Sequence, residues 1–476
     1  MFSLCSKLEK ENVNSLVEST RDLCVSKGIV MRKIDSQSQT KTYMCVPCSL
    51  LPSPIPKDGF QLLTFLQPHI NKLIHDVSQD DEFMSSAFKN VIKVDDFTKR
   101  LYDIYKASKA FDKQRLDFGI LRSDYMFECV VDKSGKEFFN PKQIEINTIA
   151  SGGIKLGSGL SSVHSDVLQY AKIKELTAHL PKNESLSKIT QGFLTAWKDY
   201  GNPNAIILIL CKDNTPNIFD QRAVEYAIYN LDEHITVRRK TCWELIASIA
   251  LSPDGKLFVD DEEVAIVYFR VLYTANDYTD EKFWDVRLKV EMSRAILCPS
   301  IGYQLAGCKK MQEVLAKPDV LERFIDDVDV VRKIRSTFAG FYELEMNSDG
   351  DNAVQMALTN PDLYVLKPQR EGGGNNIYGE HIVTLLSEIG NDERRCAYIL
   401  MEKICPKPLD NIFVTASGHQ KVQAISELGT FGVILARGND VIENYFADHL
   451  MRSKSHEHND GGIDNGLSVP DSPFLF

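Results

Sequence analysis

Apolar residues recur near helical spacing through roughly the first 115 positions. Leu4, Leu8, Val13, Leu16 and Val17 set the period, and Leu23 and Cys24 continue it. Pro47 to Pro56 contains four prolines and reads as a linker. Helices are predicted beyond it at Phe60–Val77, Asp81–Ile92 and Phe97–Phe111. Three short strand-like runs follow: Asp117–Leu121, Tyr125–Val131 and Gln143–Asn147. Ser151–Ser162 carries Gly152, Gly153, Gly157 and Gly159 and reads as a mobile loop before a helix at Val163–His179.

The pattern changes near residue 203. Ala205–Leu210 is a continuous apolar run, as in a strand buried on both faces of a parallel sheet. Helices are predicted at Phe219–Tyr229 and Thr241–Ala250, and a second buried strand at Val264–Phe269. This alternation describes a small parallel α/β unit of ~100 residues set into the rest of the chain. A long helical stretch, roughly 282–335, comes next. Strands follow at Tyr364–Lys367, Tyr398–Glu402 and Val422–Glu427. The fold class is α/β, in its α+β variety. Its regions are 1–202 (helical, with the first part of the core), 203–300 (the inserted α/β unit) and 301–476.

Composition narrows the function. The chain has 476 residues and a formal charge of −11. With 43% hydrophobic and 25% charged residues it has the balance of an ordinary globular protein, which excludes a disordered or collagen-like chain. The acidic surplus argues against a nucleic-acid binder, which needs a basic field. The longest apolar run, Ala205–Cys211, is far short of the ~20 residues that span a bilayer, so no membrane role is expected. The first ten residues lack the basic start and apolar core of a signal peptide. Eleven scattered cysteines favour a reducing, cytoplasmic compartment; a leader removed beforehand would instead imply secretion. Cys45 and Cys48 form a C-x-x-C pair with no second pair to complete a zinc site, and read as structural.

The chemistry concentrates in four segments. Tyr364 to Gly379 ends a strand at Lys367 and continues through Arg370, Glu371, Gly372, Gly373, Gly374, Asn375 and Asn376. Three glycines let backbone N–H groups approach an anion without a Cβ in the way. Lys367 adds a point charge, and Glu371 a ligand for a divalent cation. No G-x-x-x-x-G-K-[ST] is present, so a phosphate under a flap fits better than a P-loop. In Gln143–Asn147, Glu145 and Asn147 share one strand face. Two hard oxygen donors on a strand suit Mg²⁺, and a solvated edge is the bland alternative. Tyr398–Glu402 is an apolar strand ending in a charge, fit to present backbone and carboxylate to an adenine or ribose. His449 to Gly466 carries Arg452 and Lys454, able to grip a carboxylate and a phosphate, and then a second glycine loop with an H-x-H pair at His456 and His458.

These segments together resemble eukaryotic glutathione synthetase, an ATP-grasp ligase family. The likeness runs through Arg122-Ser-Asp-Tyr-Met, Ile144-Glu-Ile-Asn-Thr, Asn217-Ile-Phe-Asp-Gln221, Val264–Arg270 with Tyr273, Gln304-Leu-Ala-Gly-Cys-Lys-Lys, Arg335-Ser-Thr-Phe-Ala-Gly, Leu366–Gly379, Leu400-Met-Glu-Lys, Ile425–Gly432 and Arg452–Gly462. It implies an ATP-grasp core with glycine-rich lids. It also implies a reaction in which ATP phosphorylates γ-glutamylcysteine and glycine displaces the phosphate. By the resemblance Glu145, Asn147 and Glu371 hold Mg²⁺. Lys367, the glycine loop from Gly372 to Asn375, Asn376, Tyr378, Met401, Glu402, Lys403, Ile404, Glu427, Lys454 and Asp460 bind ATP. Arg122, Ser151, Asn217, Gln221, Arg270, Tyr273, Ile463 and Asp464 face the dipeptide or the acceptor, and Arg452 the glycine carboxylate. Arg122 and Arg452 carry the catalytic charge, and a homodimer is implied.

Some positions depart from the family pattern. Leu297 stands where the family has a phosphate-binding lysine; one lost charge-assisted contact costs ~1.5–3 kcal/mol. Thr215 stands in place of a glutamate that meets the donor's ammonium. The run Ala150-Ser151-Gly152-Gly153 is shortened. Val271-Leu272 replaces Asp-Gly and predicts a bulkier pocket wall. Ile463 and Asp464 replace small apolar residues beside the acceptor. A relative with a γ-glutamyl analogue as donor or another amine as acceptor, or one with weak or lost turnover that serves as a secreted binding protein, is therefore the alternative.

Overall fold

A computed structural model describes residues 4–8, 13–33, 42–109, 116–463 and 466–476. A long strand, Asp117–Val131, forms the axis of a 13-stranded mixed sheet. One edge of this strand pairs antiparallel with His419–Arg437. The other edge is shared. Asp117 pairs in parallel with Leu297, while Arg122–Val131 pair antiparallel with Glu137–Asn147. Asp440–Ser455 and Val469–Asp471 extend the sheet beyond His419–Arg437.

The start of the axial strand carries the parallel unit. Val237–Lys240, Ile206–Leu210, Glu262–Phe269 and Ile296–Cys298 lie side by side in that order, all parallel. Ile206–Leu210 is buried at all five residues, which explains its unbroken apolar run. The unit is continuous with the main sheet through the Leu297–Asp117 pair.

A separate four-stranded antiparallel sheet is built from Phe341–Glu343, Tyr398–Glu402, Tyr364–Pro368 and Ile377–Tyr378. Helices Ser348–Thr359 and Glu380–Ile389 share a small core with it, centred on Leu366, Leu386 and Leu400. Helix Lys57–Gln79 lies across the main sheet. Its Leu63, Leu66, Ile70 and Ile74 join Leu428 and Ile434 in one core.

Several sequence expectations change. The Pro47–Pro56 segment is hydrogen-bonded rather than a linker. Cys48–Ser49 pairs with Leu409–Val414, and Ser53–Ile55 runs parallel to Pro473–Leu475. Prolines are tolerated in such short peripheral strands. The loop expected over Ser151–Ser162 is mostly helix, Ile154–Tyr170. Its glycines are there for contact. A Cβ on Gly157 would lie 2.4 Å from the His449 carbonyl oxygen, and one on Gly159 2.2 Å from Ile29 Cδ1. The stretch 282–335 is interrupted by strand Ile296–Cys298. Asp81–Ile92 divides into helices Asp81–Phe88 and Val91–Val94, and Ile249–Leu251 is a strand. The N-terminal region also holds a hairpin, Val30–Lys33 with Thr42–Cys45. Arg452 and Lys454 stand on strand Asp440–Ser455, so the C-terminal loop begins only after them. Phe111 and Asp464 lie outside the described residues.

Candidate active site

Strand register builds the site. Arg122 stands opposite Asn147, and Asp124 opposite Glu145. On the far side Glu427 pairs with Arg452. Arg122 donates through Nε and Nη2 to Asp124 at 2.7 and 2.8 Å. Its Nη1 donates to the Gly152 carbonyl at 2.9 Å. Arg452 Nη2 reaches Asp124 at 3.0 Å and forms an ion pair with Glu427. Asn147 Nδ2 donates to Asp124 at 2.9 Å and to Glu145 at 3.1 Å, which leaves its amide oxygen as the acceptor for a cation.

Glu371 approaches from the glycine loop. Lys309 Nζ bridges the two carboxylates, 2.9 Å from Glu145 Oε2 and 3.1 Å from Glu371 Oε2. A cation therefore already finds its partners here. Two carboxylates and an amide oxygen are the hard donors that Mg²⁺ prefers. Among the described residues no three His, Cys, Asp or Glu side chains group as a metal site. The His456–His458 pair thus gains no third ligand.

Two cavities flank this face. One, of about 520 Å³, is lined by Arg122, Arg270, Arg452, Lys212, Thr215, Asn217, Gln221 and Tyr273, and by Gly372, Gly373, Asn375 and Ile463. Asn217 Oδ1 accepts from Thr215 Oγ1 at 2.8 Å and from Gln221 Nε2 at 2.9 Å. Arg270 Nη1 donates to the Ser151 carbonyl at 2.8 Å. The Ser151 hydroxyl bonds instead to the main chain, at Ile120 and Asn147. The second cavity, of about 310 Å³, is lined by Lys367, Asn376, Tyr378, Met401–Ile404, Glu427, Lys454 and Asp460. Asp460 Oδ1 accepts from Tyr378 Oη at 2.8 Å and Asn376 Nδ2 at 3.1 Å, tying the C-terminal loop to the glycine loop. Gly372 and Gly374 take φ of 85° and 88°, backbone that a side chain would strain.

Burial and charge act against each other in this site. Burial opposes ionising Glu145, but Lys309 and Lys367 outweigh it and hold the carboxyl well below the usual range. Glu371 moves the other way, raised by burial and by Glu145 against the pull of Lys309. Burial pushes Lys367 down to about 8 despite Glu145. Burial likewise lowers Lys454 to about 8 despite Asp460. Both lysines gain from an anion that restores their charge.

The structure places the sequence-derived candidates around these two cavities and the bridging face, except that Gly374 lines neither cavity and Asp464 is undescribed. Gly372, Gly373 and Asn375 line the larger cavity rather than the smaller one. Two departures fall elsewhere. Leu297 is fully buried in the core of the parallel unit and lines neither cavity. Leu272, at φ 68°, and Val271 are buried in that same core and form no wall of the pocket. Asp124 and Lys309 were missed as site residues, although both sit inside quoted motifs. Asp124 is two residues from Arg122 on a strand, a spacing that pairs them on one face.

Phosphoryl transfer asks a protein for fixed charge and exclusion of water rather than a nucleophile of its own. The bridging face supplies fixed charge, and fold and site are those of an ATP-dependent ligase. The family model described as eukaryotic glutathione synthase, ATP binding domain, matches residues 10–475, and the chain belongs to that family. It is 40% identical to glutathione synthetase of Xenopus laevis over 457 residues, 95% of each chain. It is 39% identical to glutathione synthetase of Homo sapiens over 470 residues, 98% of each chain. A solved structure of a glutathione synthetase-like effector from Globodera pallida shares the fold over 100% of both chains, with TM-score 0.79 and 23% identity.

Proposed function

We propose that the protein joins γ-glutamylcysteine to glycine at the expense of ATP, giving glutathione, ADP and phosphate. The observation that carries this reading is the convergence of Arg122, Arg270 and Arg452 on one cavity beside the cation-bridged pair Glu145 and Glu371. The donor carboxylate must meet the γ-phosphate of ATP, and the resulting acyl phosphate is then attacked by the amine. Lys367 and Lys454 hold phosphate oxygens, and Asp460 with Tyr378 closes the loops over the nucleotide. Arg122, fixed by Asp124, faces the oxygen on which charge develops. Arg452 holds the acceptor carboxylate. Glu145, Asn147 and Glu371 would hold Mg²⁺, which neutralises phosphate charge when bound. The glycine loop keeps water from the acyl phosphate. A homodimer in a reducing, cytoplasmic setting belongs to the same reading. ADP release that requires both γ-glutamylcysteine and glycine, with glutathione found by mass spectrometry, tests the reaction; light scattering tests the dimer.

One observation favours a second reading, a shifted donor. Among the described lining residues of the larger cavity Glu371 is the sole carboxylate, and Thr215, where the family resemblance gives a glutamate for the donor ammonium, carries no charge. A panel of γ-glutamyl dipeptides and des-amino analogues separates the two. Preference for the des-amino donor would favour the second.

A further inference from the structure

We propose that Lys309 keeps the place of the divalent cation between Glu145 and Glu371, so that metal enters only together with nucleotide. The inference rests on the ligase reading above and deepens it. Lys309 opens helix Lys309–Ala316, and its side chain is 4% exposed. Its ammonium takes Oε2 of Glu145 and Oε2 of Glu371, the two carboxylates on which a divalent ion would draw. The helix that carries it is tied on both sides. Gln312 Nε2 donates to the Ile144 carbonyl at 3.2 Å, beside Glu145. The Lys310 N–H donates to Gln369 Oε1 at 2.9 Å, two residues before Glu371. The neighbouring Lys310 is committed elsewhere, to Glu313 and Glu345. The position of Lys309 is therefore set by its surroundings.

A monovalent ammonium and a divalent ion repel when they share two carboxylates. A free hydrated ion brings no partner for the displaced lysine. It would leave the Lys309 charge buried and unpaired, which is costly. An ion already on ATP brings phosphate oxygens, and the lysine turns to these as it yields the carboxylates. Leu297 contributes no charge to this site, being enclosed in core.

The test uses the full chain and Mn²⁺ as the probe, read by electron paramagnetic resonance without nucleotide. Lys309→Met is expected to bind free Mn²⁺ at least ~10-fold more tightly than the natural protein, and Lys309→Arg to exclude it as the natural protein does. Mn²⁺ with ADP is expected to bind the natural protein more tightly than Lys309→Met. Circular dichroism checks folding, and Lys309→Gln is read in the same way should the methionine variant not fold. Equal Mn²⁺ affinity in the natural and substituted proteins overturns the inference. Because this readout needs no turnover, failure of the ligase reading shows separately, as absent ADP release with the Mn²⁺ difference intact.

Discussion

Asp124 anchors Arg122 through both of its carboxylate oxygens, at 2.7 and 2.8 Å. Asp124 is fully buried and also receives Arg452 and Asn147. One carboxylate thus orients two guanidinia and the amide next to the cation face. Gly429 on the adjoining strand makes room for it, since a Cβ there would lie 2.5 Å from Asp124 Oδ1 and 2.9 Å from Arg122 Cδ. The geometry of the reaction face depends on a residue that needs no contact with substrate.

Asp124→Asn retains the size of the side chain and removes the charge that two arginines share. Loss of orientation should lower kcat/KM by ~100-fold, mostly in kcat. Asp124→Ala leaves buried guanidinia without their anion and should cost ~3–5 kcal/mol of stability. Steady-state ADP release and urea denaturation measure the two effects. An asparagine variant of normal kcat would show that Arg122 needs no such anchor.

Nucleotide affinity should fall as pH rises through about 8, where Lys367 and Lys454 lose their protons in the free protein. Both values are depressed from the ordinary lysine range. Before ligand binds, the folded chain holds these protons less tightly than the unfolded chain. Between about 8 and the ordinary value, stability without nucleotide therefore rises with pH. Bound phosphate restores the charge, so binding takes up protons. From pH 7 to pH 9 the ATP dissociation constant should rise ~10-fold for each lysine. Calorimetry in two buffers of different ionisation enthalpy reads both the constant and the proton uptake. A constant that stays flat over this range would remove the role given to the two lysines.

Gly157→Ala should destabilise the fold by ~1–3 kcal/mol. The clash is with the backbone carbonyl of His449 at 2.4 Å, which cannot rotate away as a side-chain tip can. Gly418→Ala is the control, because a Cβ there meets nothing within 4 Å. Equal thermal midpoints for the two variants would deny that Gly157 is a packing residue.

The sequence signalled chemistry better than connection. Lys367, Glu371 and Glu145 were legible because charged residues interrupt apolar strands or sit among glycines, where a plain turn has no use for them. The buried strand Ile206–Leu210 was legible because parallel sheets are covered on both faces. Gly157 and Gly159 were misread, since local pattern cannot tell a glycine that frees the backbone from one that admits a distant residue. The prolines of Pro47–Pro56 misled for the same reason. Their partner strands lie near residues 410 and 474, beyond any local window. Lys309 was hidden because its partners, Glu145 and Glu371, are 164 and 62 residues away.

Thr215→Glu places a carboxylate beside Asn217 and Gln221 at the larger cavity. It should tighten binding of a donor that carries an α-ammonium by ~10-fold or more, and leave a des-amino donor unimproved. KM for the two donors measures this. Equal change for both would show that the ammonium does not lie near Thr215.

Leu297→Lys should fail to improve ATP binding, although lysine is the residue that the family resemblance gives for this position. Leu297 pairs with Val267 on one side and Asp117 on the other, in the middle of the sheet. Ile296 and Cys298 face one core, while Leu297 faces the core that holds Ile149 and Val267. An ammonium placed there either loses its proton or opens the packing around it, at ~3–5 kcal/mol. Leu297→Met, close in volume, should cost under ~1.5 kcal/mol. Urea midpoints measure both, and calorimetric ATP titration should give constants within ~3-fold of the natural protein, because position 297 lines neither cavity. A lysine variant that keeps its stability and binds ATP ~10-fold more tightly would place position 297 in the nucleotide site after all.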